Sequence, residues 1–294
     1  MDLIEIRSAD LSAAISRDGA ELQWLRDFHG RDLLWSGDPA FWTGRAPILF
    51  PIVGALAHDE FRLDGKAYRL PRHGFARHSR FAPAEHGDSA VTFRLTDSPP
   101  THAVYPFPFV LEVRFGIEDA TLSITATLSN PGDGPLPASF GFHPALRWPL
   151  PYGGARPDHV VRFDRPEPEP IRRVDTAGLL LPEAFPTPVD GNILHLRDDL
   201  FTTDALIFDR PASRSLWYGA PDTPGVRVDF AGMPELGIWM KPGAGYLCIE
   251  PWQGHADPQG FVGELRDKPG VVEIAPGQSR IFAIAITAGV DAPG

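Results

Sequence analysis

The stretch Phe109-Val-Leu-Glu-Val-Arg-Phe-Gly-Ile117-Glu-Asp-Ala-Thr121-Leu-Ser-Ile-Thr-Ala-Thr-Leu-Ser129 decides the fold class. Phe109, Leu111, Val113, Phe115 and Ile117 fall on one side of a period of two, and Glu112 and Arg114 fall on the other. Leu122, Ile124, Ala126 and Leu128 then alternate with Ser123, Thr125, Thr127 and Ser129. That period belongs to half-buried antiparallel strands and not to a helix. Glu118-Asp-Ala-Thr121 between the runs reads as a hairpin turn.

Working outward, short strand-like runs recur at Leu3–Arg7, Ala13–Ser16, Ala90–Leu95, His159–Phe163, Ala205–Phe208, Gly225–Phe230, Leu236–Met240, Tyr246–Ile249 and Arg280–Thr287. Helical candidates are two short turns, Pro39–Thr43 and Val262–Arg266. So many strands with almost no helix between them predict an all-β chain, a large antiparallel sandwich, and argue against parallel βαβ units. No repeat of fixed period is visible, which argues against a solenoid or a propeller. Arg165–Pro188 is rich in proline and acidic residues without alternation and reads as a long surface excursion. Strands of similar character flank it, and residues 1–294 are expected to form one domain.

With 294 residues, the chain is long enough to bury a large core. Its 29 glycines and 32 prolines exclude a coiled coil and fit many short strands joined by turns. A formal charge of −11, with no long basic run, makes nucleic acid an unfavourable partner. Cys248 is the only cysteine, so no intrachain disulfide forms, and a reducing cytoplasm is the expected compartment. The first residues, Met1-Asp-Leu-Ile-Glu-Ile-Arg7, lack the pattern of an export signal, and no apolar run approaches a membrane-spanning length. No membrane partner is expected.

Three segments place an ionisable residue beside glycine, proline and aromatics: Arg72-His73-Gly-Phe-Ala-Arg77, Gly141-Phe-His143-Pro144 and Cys248-Ile-Glu250-Pro251-Trp252. The proline after His143 and after Glu250 keeps each residue out of the helical region and extended. An imidazole and a carboxylate form an acid–base couple, and Trp252, Phe75 and Phe142 offer the flat apolar faces that a sugar ring needs. His73, His143 and Glu250 as Zn²⁺ ligands are disfavoured by their wide spacing, so no metal is expected. His58, His78, His86, His159 and His195 sit in polar surroundings and read as solvated, and His102 reads as a loop histidine. Phosphate-binding glycine loops, dinucleotide fingerprints and a serine-hydrolase elbow are absent, so no cofactor is expected.

On these segments the chain resembles the aldose 1-epimerase, or galactose mutarotase-like, superfamily. The resemblance rests on Pro47-Ile-Leu-Phe-Pro-Ile-Val-Gly54, His73-Gly-Phe-Ala-Arg77, Tyr105-Pro-Phe107, Gly141-Phe-His-Pro144, Leu236-Gly-Ile-Trp239 and Ile249-Glu-Pro-Trp252, in the family order. It implies a β-supersandwich that interconverts the α and β anomers of a hexose without a cofactor. It also implies that Glu250 is the base at the C1 hydroxyl and His143 the acid at the ring oxygen. His73 and Asp204 match sugar-contacting positions, and Trp252 would stack on the ring. The family often carries arginine where this chain has Ala55, so a cationic contact would come from Arg45 or Arg77. Two alternatives accompany the epimerase reading. One is a hexose-6-phosphate 1-epimerase, with Arg45, Arg72 and Arg77 around the phosphate. The other is a non-catalytic carbohydrate-binding protein on the same fold.

Overall fold

A computed structural model describes residues 2–293. The strands Val110–Glu118 and Thr121–Ser129 lie inside a nine-stranded antiparallel sheet. Thr121 pairs with Glu118, leaving the two-residue turn Asp119-Ala120, and Asp119 adopts φ 50°, a conformation its short polar side chain tolerates. Leu111, Val113, Phe115 and Ile117 are all buried while Arg114 is exposed, as the alternation predicts. The carboxy-terminal strand Ser279–Val290 pairs along the whole length of Thr121–Ser129 and joins the two halves of this sheet.

A second, six-stranded sheet carries the sequence segments with chemical character. Its order runs Leu206–Phe208, Glu235–Trp239, Tyr246–Gln253, Phe140–Phe142 and Ile48–Leu49, with Ala145–Arg147 also paired to Tyr246–Gln253. The two sheets meet face to face. Phe140 of the smaller sheet stacks on Phe282 of the larger at 4.8 Å between centroids, and Phe163 of the larger meets Phe208 at 5.4 Å. Tyr218, also from the larger sheet, donates its hydroxyl proton to the Arg147 carbonyl opposite, at 2.8 Å. Burying aromatics of this size contributes about 1.5–3 kcal/mol each, which is why their removal from such a seam is costly.

Three local readings are corrected. Val262–Arg266 becomes a single 3₁₀ turn at Leu265–Asp267, while Pro39–Thr43 holds a short turn, with the Phe41 and Trp42 amides donating to the Asp38 carbonyl. The α-helix among the described residues is Pro99–Val104, in a stretch read as loop; Ser98 caps it and shares a reciprocal capping box with Thr101. His102, on that helix, bonds Asp97 at 2.7 Å. His159 is not solvated: it is fully buried, with Nε2 accepting from the Leu150 amide and Nδ1 donating to the Ala155 carbonyl.

Residues 165–188 do not stand away from the body. The Arg172 amide bonds the Ile207 carbonyl, and Leu180 bridges to the segment after Tyr246–Gln253 by accepting from Gln259 and donating to Asp257. The excursion thereby wraps back over the edge of the six-stranded sheet. No helix among the described residues is long and apolar enough to cross a membrane.

Candidate active site

The sheet order explains why distant segments converge. Gly237 pairs with Glu250, Gly141 with Trp252 and with Leu49, so four of the quoted segments are adjacent ladder positions on one surface. Within Tyr246–Gln253, alternate residues share a face, which puts Cys248, Glu250 and Trp252 on the same side. Glu250 and Trp252 front a cleft of about 200 Å³ lined by Trp42, His73, Arg77, His143 and Asp204, among others, while Cys248 lies buried beneath it. Leu49, Val53, Leu180, Ala205, Ile207 and Trp252 form a compact apolar cluster beside it, with Val174 and Trp239 packed on.

His143 Nε2 lies 3.1 Å from Glu250 Oε2, and both side chains are almost wholly buried. Burial lifts the Glu250 carboxyl well above the ordinary carboxylate range. The nearby Asp204 charge adds to the rise, and the Trp252 indole N–H pulls the other way. That N–H is buried without a hydrogen bond in the present geometry, so it is a donor in reserve for a carboxylate. Burial also drops the His143 imidazole to about 3, partly offset by its own backbone and reinforced by Arg77. Both shifts favour the uncharged forms. The low polarity of the site therefore works against a charged pair across the 3.1 Å contact. The His143 ring is packed by Trp42 at 5.0 Å and Trp239 at 6.0 Å.

His73 stands edge-on to His143, with centroids 5.9 Å apart. Its backbone is at φ 65°, and its Nδ1 accepts from the Gly54 amide at 3.1 Å while its own amide donates to the Gly54 carbonyl. An accepting Nδ1 puts the ring proton on Nε2. Burial, then the neighbouring His143, Arg77 and Arg72, hold this imidazole well below its ordinary value. His73 is thus a neutral donor with fixed orientation. The Gly54 segment is itself clamped: the Asp257 amide donates to the Ala55 carbonyl, and the Asp257 carboxylate accepts from the Ala57 amide. Behind that clamp lies a buried polar group that sequence reasoning missed, in which His255 Nδ1 meets Glu235 Oε1 at 3.0 Å and the Lys268 ammonium bonds the His255 carbonyl.

Two glycines make room for the Trp252 indole. A Cβ at Gly237 would sit 2.4 Å from the ring, and one at Gly141 would sit 2.7 Å from it. The glycines of the Leu236-Gly-Ile and Gly141-Phe-His segments are therefore required by the close approach of a neighbouring side chain and not by backbone conformation.

The remaining expected residues divide. Asp204 borders the cleft at φ 68°, and its Oδ1 accepts from the following amide at 2.7 Å. Arg77 also borders the cleft; its Nη2 donates to the Arg72 carbonyl and its buried Nε has no partner. Arg45 does not reach the cleft. Its guanidinium donates to the Gln23 and Ser36 carbonyls and to the Gln23 side chain, and it borders a separate hollow with Trp24 and Arg147. Backbone carbonyls have claimed its donors, so Arg77 and not Arg45 offers the cation near the histidines. Arg72 also borders the cleft, and neither Arg72 nor Arg77 is paired with a carboxylate among the described residues. Trp42 and Trp239 went unassigned. Trp42 lies in no segment that sequence reasoning singled out for its chemistry, whereas Trp239 ends the Leu236-Gly-Ile-Trp239 segment and was visible there.

Facing antiparallel sheets and a half-closed cleft holding an imidazole–carboxyl couple between tryptophans define a β-supersandwich protein of the galactose mutarotase type. The aldose 1-epimerase family profile matches residues 2–264, and the chain belongs to that family. It is 30% identical over 283 residues to the chromosomal protein LacX of Lactococcus lactis subsp. lactis, covering 93% of this chain and 95% of that one. Its fold is similar to a galactose mutarotase related enzyme from Lactobacillus acidophilus, with TM-score 0.89, 29% identity and full coverage of both chains. A galactose mutarotase-like protein from Lactobacillus casei is similar at TM-score 0.88 and 29% identity, over 97% of this chain and 99% of that one.

Proposed function

We propose that the protein is an aldose 1-epimerase, an isomerase that interconverts the α and β anomers of a free aldose. The observation that carries this reading is the 3.1 Å contact between His143 and Glu250 at the cleft wall. In a cyclic sugar, the C1 hydroxyl and the ring oxygen are bonded to the same carbon, so an acid and a base acting on them can stand as neighbours.

The reactive form of the pair carries a carboxylate on Glu250 and an imidazolium on His143. Glu250 takes the proton from the C1 hydroxyl, His143 gives its proton to the ring oxygen, and the C1–O5 bond breaks as the C1=O1 bond forms. Rotation about C1–C2 and the reverse transfers then close the ring on the other face. Ring opening converts carboxylate and imidazolium into acid and neutral imidazole, so protons and charge balance within the pair. The low polarity that shifts both groups towards neutrality thereby favours the opening direction. The Trp252 N–H is placed to steady the carboxylate, and the His73 Nε2–H to bond a sugar oxygen near O5. Asp204 would accept from sugar hydroxyls, and the Trp42, Trp239 and Trp252 faces suit the C–H surface of the ring.

A second reading, a hexose 6-phosphate substrate, is favoured by one observation: Arg72 and Arg77 border the cleft without carboxylate partners. They lie by His73, on the side where O5 and hence C6 would be. The deciding experiment is NMR exchange spectroscopy across aldoses and their 6-phosphates. Exchange above buffer that disappears in His143→Ala supports the epimerase reading, and preference for the phosphates selects the second substrate class. Sugar binding with exchange no faster than buffer overturns both and leaves a carbohydrate-binding role.

A further inference from the structure

Cys248 has no place in the chemistry above, yet it lies against it. Its Sγ, a His143 ring nitrogen and a Glu250 carboxylate oxygen all lie within 4.8 Å of one another, and all three residues are buried. We propose that this trio is a site for Zn²⁺ or a similar thiophilic divalent cation, and that the bound ion blocks the acid–base pair.

Zn²⁺ binds Cys sulfur at about 2.3 Å and His nitrogen or carboxylate oxygen at about 2.0–2.2 Å, so tetrahedral geometry sets its donor atoms roughly 3.3–3.7 Å apart. The His143–Glu250 contact of 3.1 Å already falls near that spacing, and the thiol, within 4.8 Å of both, has at most roughly 1–1.5 Å to close. Cys248 and Glu250 are two residues apart on one strand, hence on one face, and His143 reaches them from the segment after the neighbouring strand Phe140–Phe142. The ladder therefore fixes all three donors in relation to one another before any ion arrives. His143 and Glu250 border the cleft, which leaves the fourth position for water, the open three-ligand geometry of zinc. A thiolate, an imidazole and a carboxylate together select zinc over magnesium or calcium, which prefer all-oxygen sites.

A lone buried cysteine ordinarily packs as a small apolar group, and nothing about Cys248 alone would exceed that role. The two further donors beside it make the difference. The ion takes Cys248 as thiolate, Glu250 as carboxylate and His143 as neutral imidazole, and the thiol proton, with any proton on the other two, is released to solvent. No oxidation state changes. With its nitrogen and oxygen coordinated, the pair can neither give a proton to the sugar nor take one from it. Occupancy rests on geometry alone, whereas the inhibitory consequence rests on the epimerase reading.

The test uses the full-length protein under reducing, chelator-free conditions, titrated with Co²⁺ as a visible substitute for Zn²⁺. The expected result is a thiolate-to-cobalt charge-transfer band with tetrahedral d–d bands, bleached by Zn²⁺. Cys248→Ala, with Cys248→Ser in reserve should the smaller side chain unfold the protein, loses that band. It also binds Zn²⁺ more than about 100-fold more weakly, beyond the cost of losing an outer-shell partner. Anomer exchange by the wild type stops with stoichiometric Zn²⁺ and returns with chelator, while the cysteine variants keep their exchange in Zn²⁺. Absence of a thiolate band, or unchanged Zn²⁺ affinity in both variants, overturns the site. Failure of the metal-free protein to exchange anomers overturns the epimerase reading instead, and the cobalt spectrum still decides the metal site.

Discussion

Glu250→Gln separates chemistry from folding. The replacement amide keeps the shape of the side chain, and it stands 3.1 Å from His143 Nε2 as the carboxyl does. It cannot take up a proton. Loss of a general base typically costs 10²–10⁴-fold in rate, or about 3–5.5 kcal/mol of barrier, and the variant is expected in that range with little change in KM. The stability effect runs the other way. Burial raises the Glu250 carboxyl in the folded state above its unfolded value. Its favourable contribution is therefore complete below the unfolded value and is lost as pH rises through the folded one. Glutamine carries no such dependence, so the melting temperature of Glu250→Gln should gain on the wild type as pH rises from 5 towards 9. NMR exchange gives the rate, and calorimetry across pH gives the stability. An exchange rate within about threefold of wild type, or a variant that loses ground with increasing pH, would refute the reasoning.

Other expectations follow from the same geometry. The folded His143 imidazole is held at about 3 against an ordinary 6.5, so the unfolded chain binds the extra proton in that window. Stability should fall as pH drops below 6.5, and His143→Gln should flatten that slope in urea titrations. Gly237→Ala drives a Cβ to within 2.4 Å of the Trp252 indole and should cost about 1–3 kcal/mol in denaturant unfolding and raise KM. Arg77→Ala should raise KM, most for 6-phosphates, whereas Arg45→Ala should leave it unchanged because that guanidinium is tied to carbonyls outside the cleft. Equal effects of the two on KM would contradict the placement of either. Phe140→Ala opens the seam where Phe140 stacks on Phe282 and should destabilise by about 3–5 kcal/mol in thermal unfolding.

Much of this was legible in the residues. Alternation from Phe109 to Ser129 specified a hairpin that closes where expected, and the strands at Leu3–Arg7 and Gly225–Asp229 begin where their periodicity begins. His143 and Glu250 were legible as a pair because proline after each leaves an extended conformation, and extended segments can become ladder neighbours. What escaped depended on partners remote in sequence. Arg45 looks like any arginine near a glycine-rich segment until the carbonyls of Gln23 and Ser36 are seen to occupy it. His159 looks solvated in sequence because its polar neighbours conceal the amide and carbonyl that satisfy both ring nitrogens. The short helix at Pro99–Val104 has too few residues for a period, and its evidence is the Ser98–Thr101 cap.

The segment 165–188 arches back to supply Val174 and Gly178 to a cleft whose acid and base stand at and beside the sheet. On the epimerase reading, the acid and base sit in and beside a ladder of hydrogen bonds, while the arch, tethered at a few points, completes the rim of the cleft. Lengthening or recomposing the arch would change the shape of the cleft rim while leaving the acid–base pair in its ladder undisturbed.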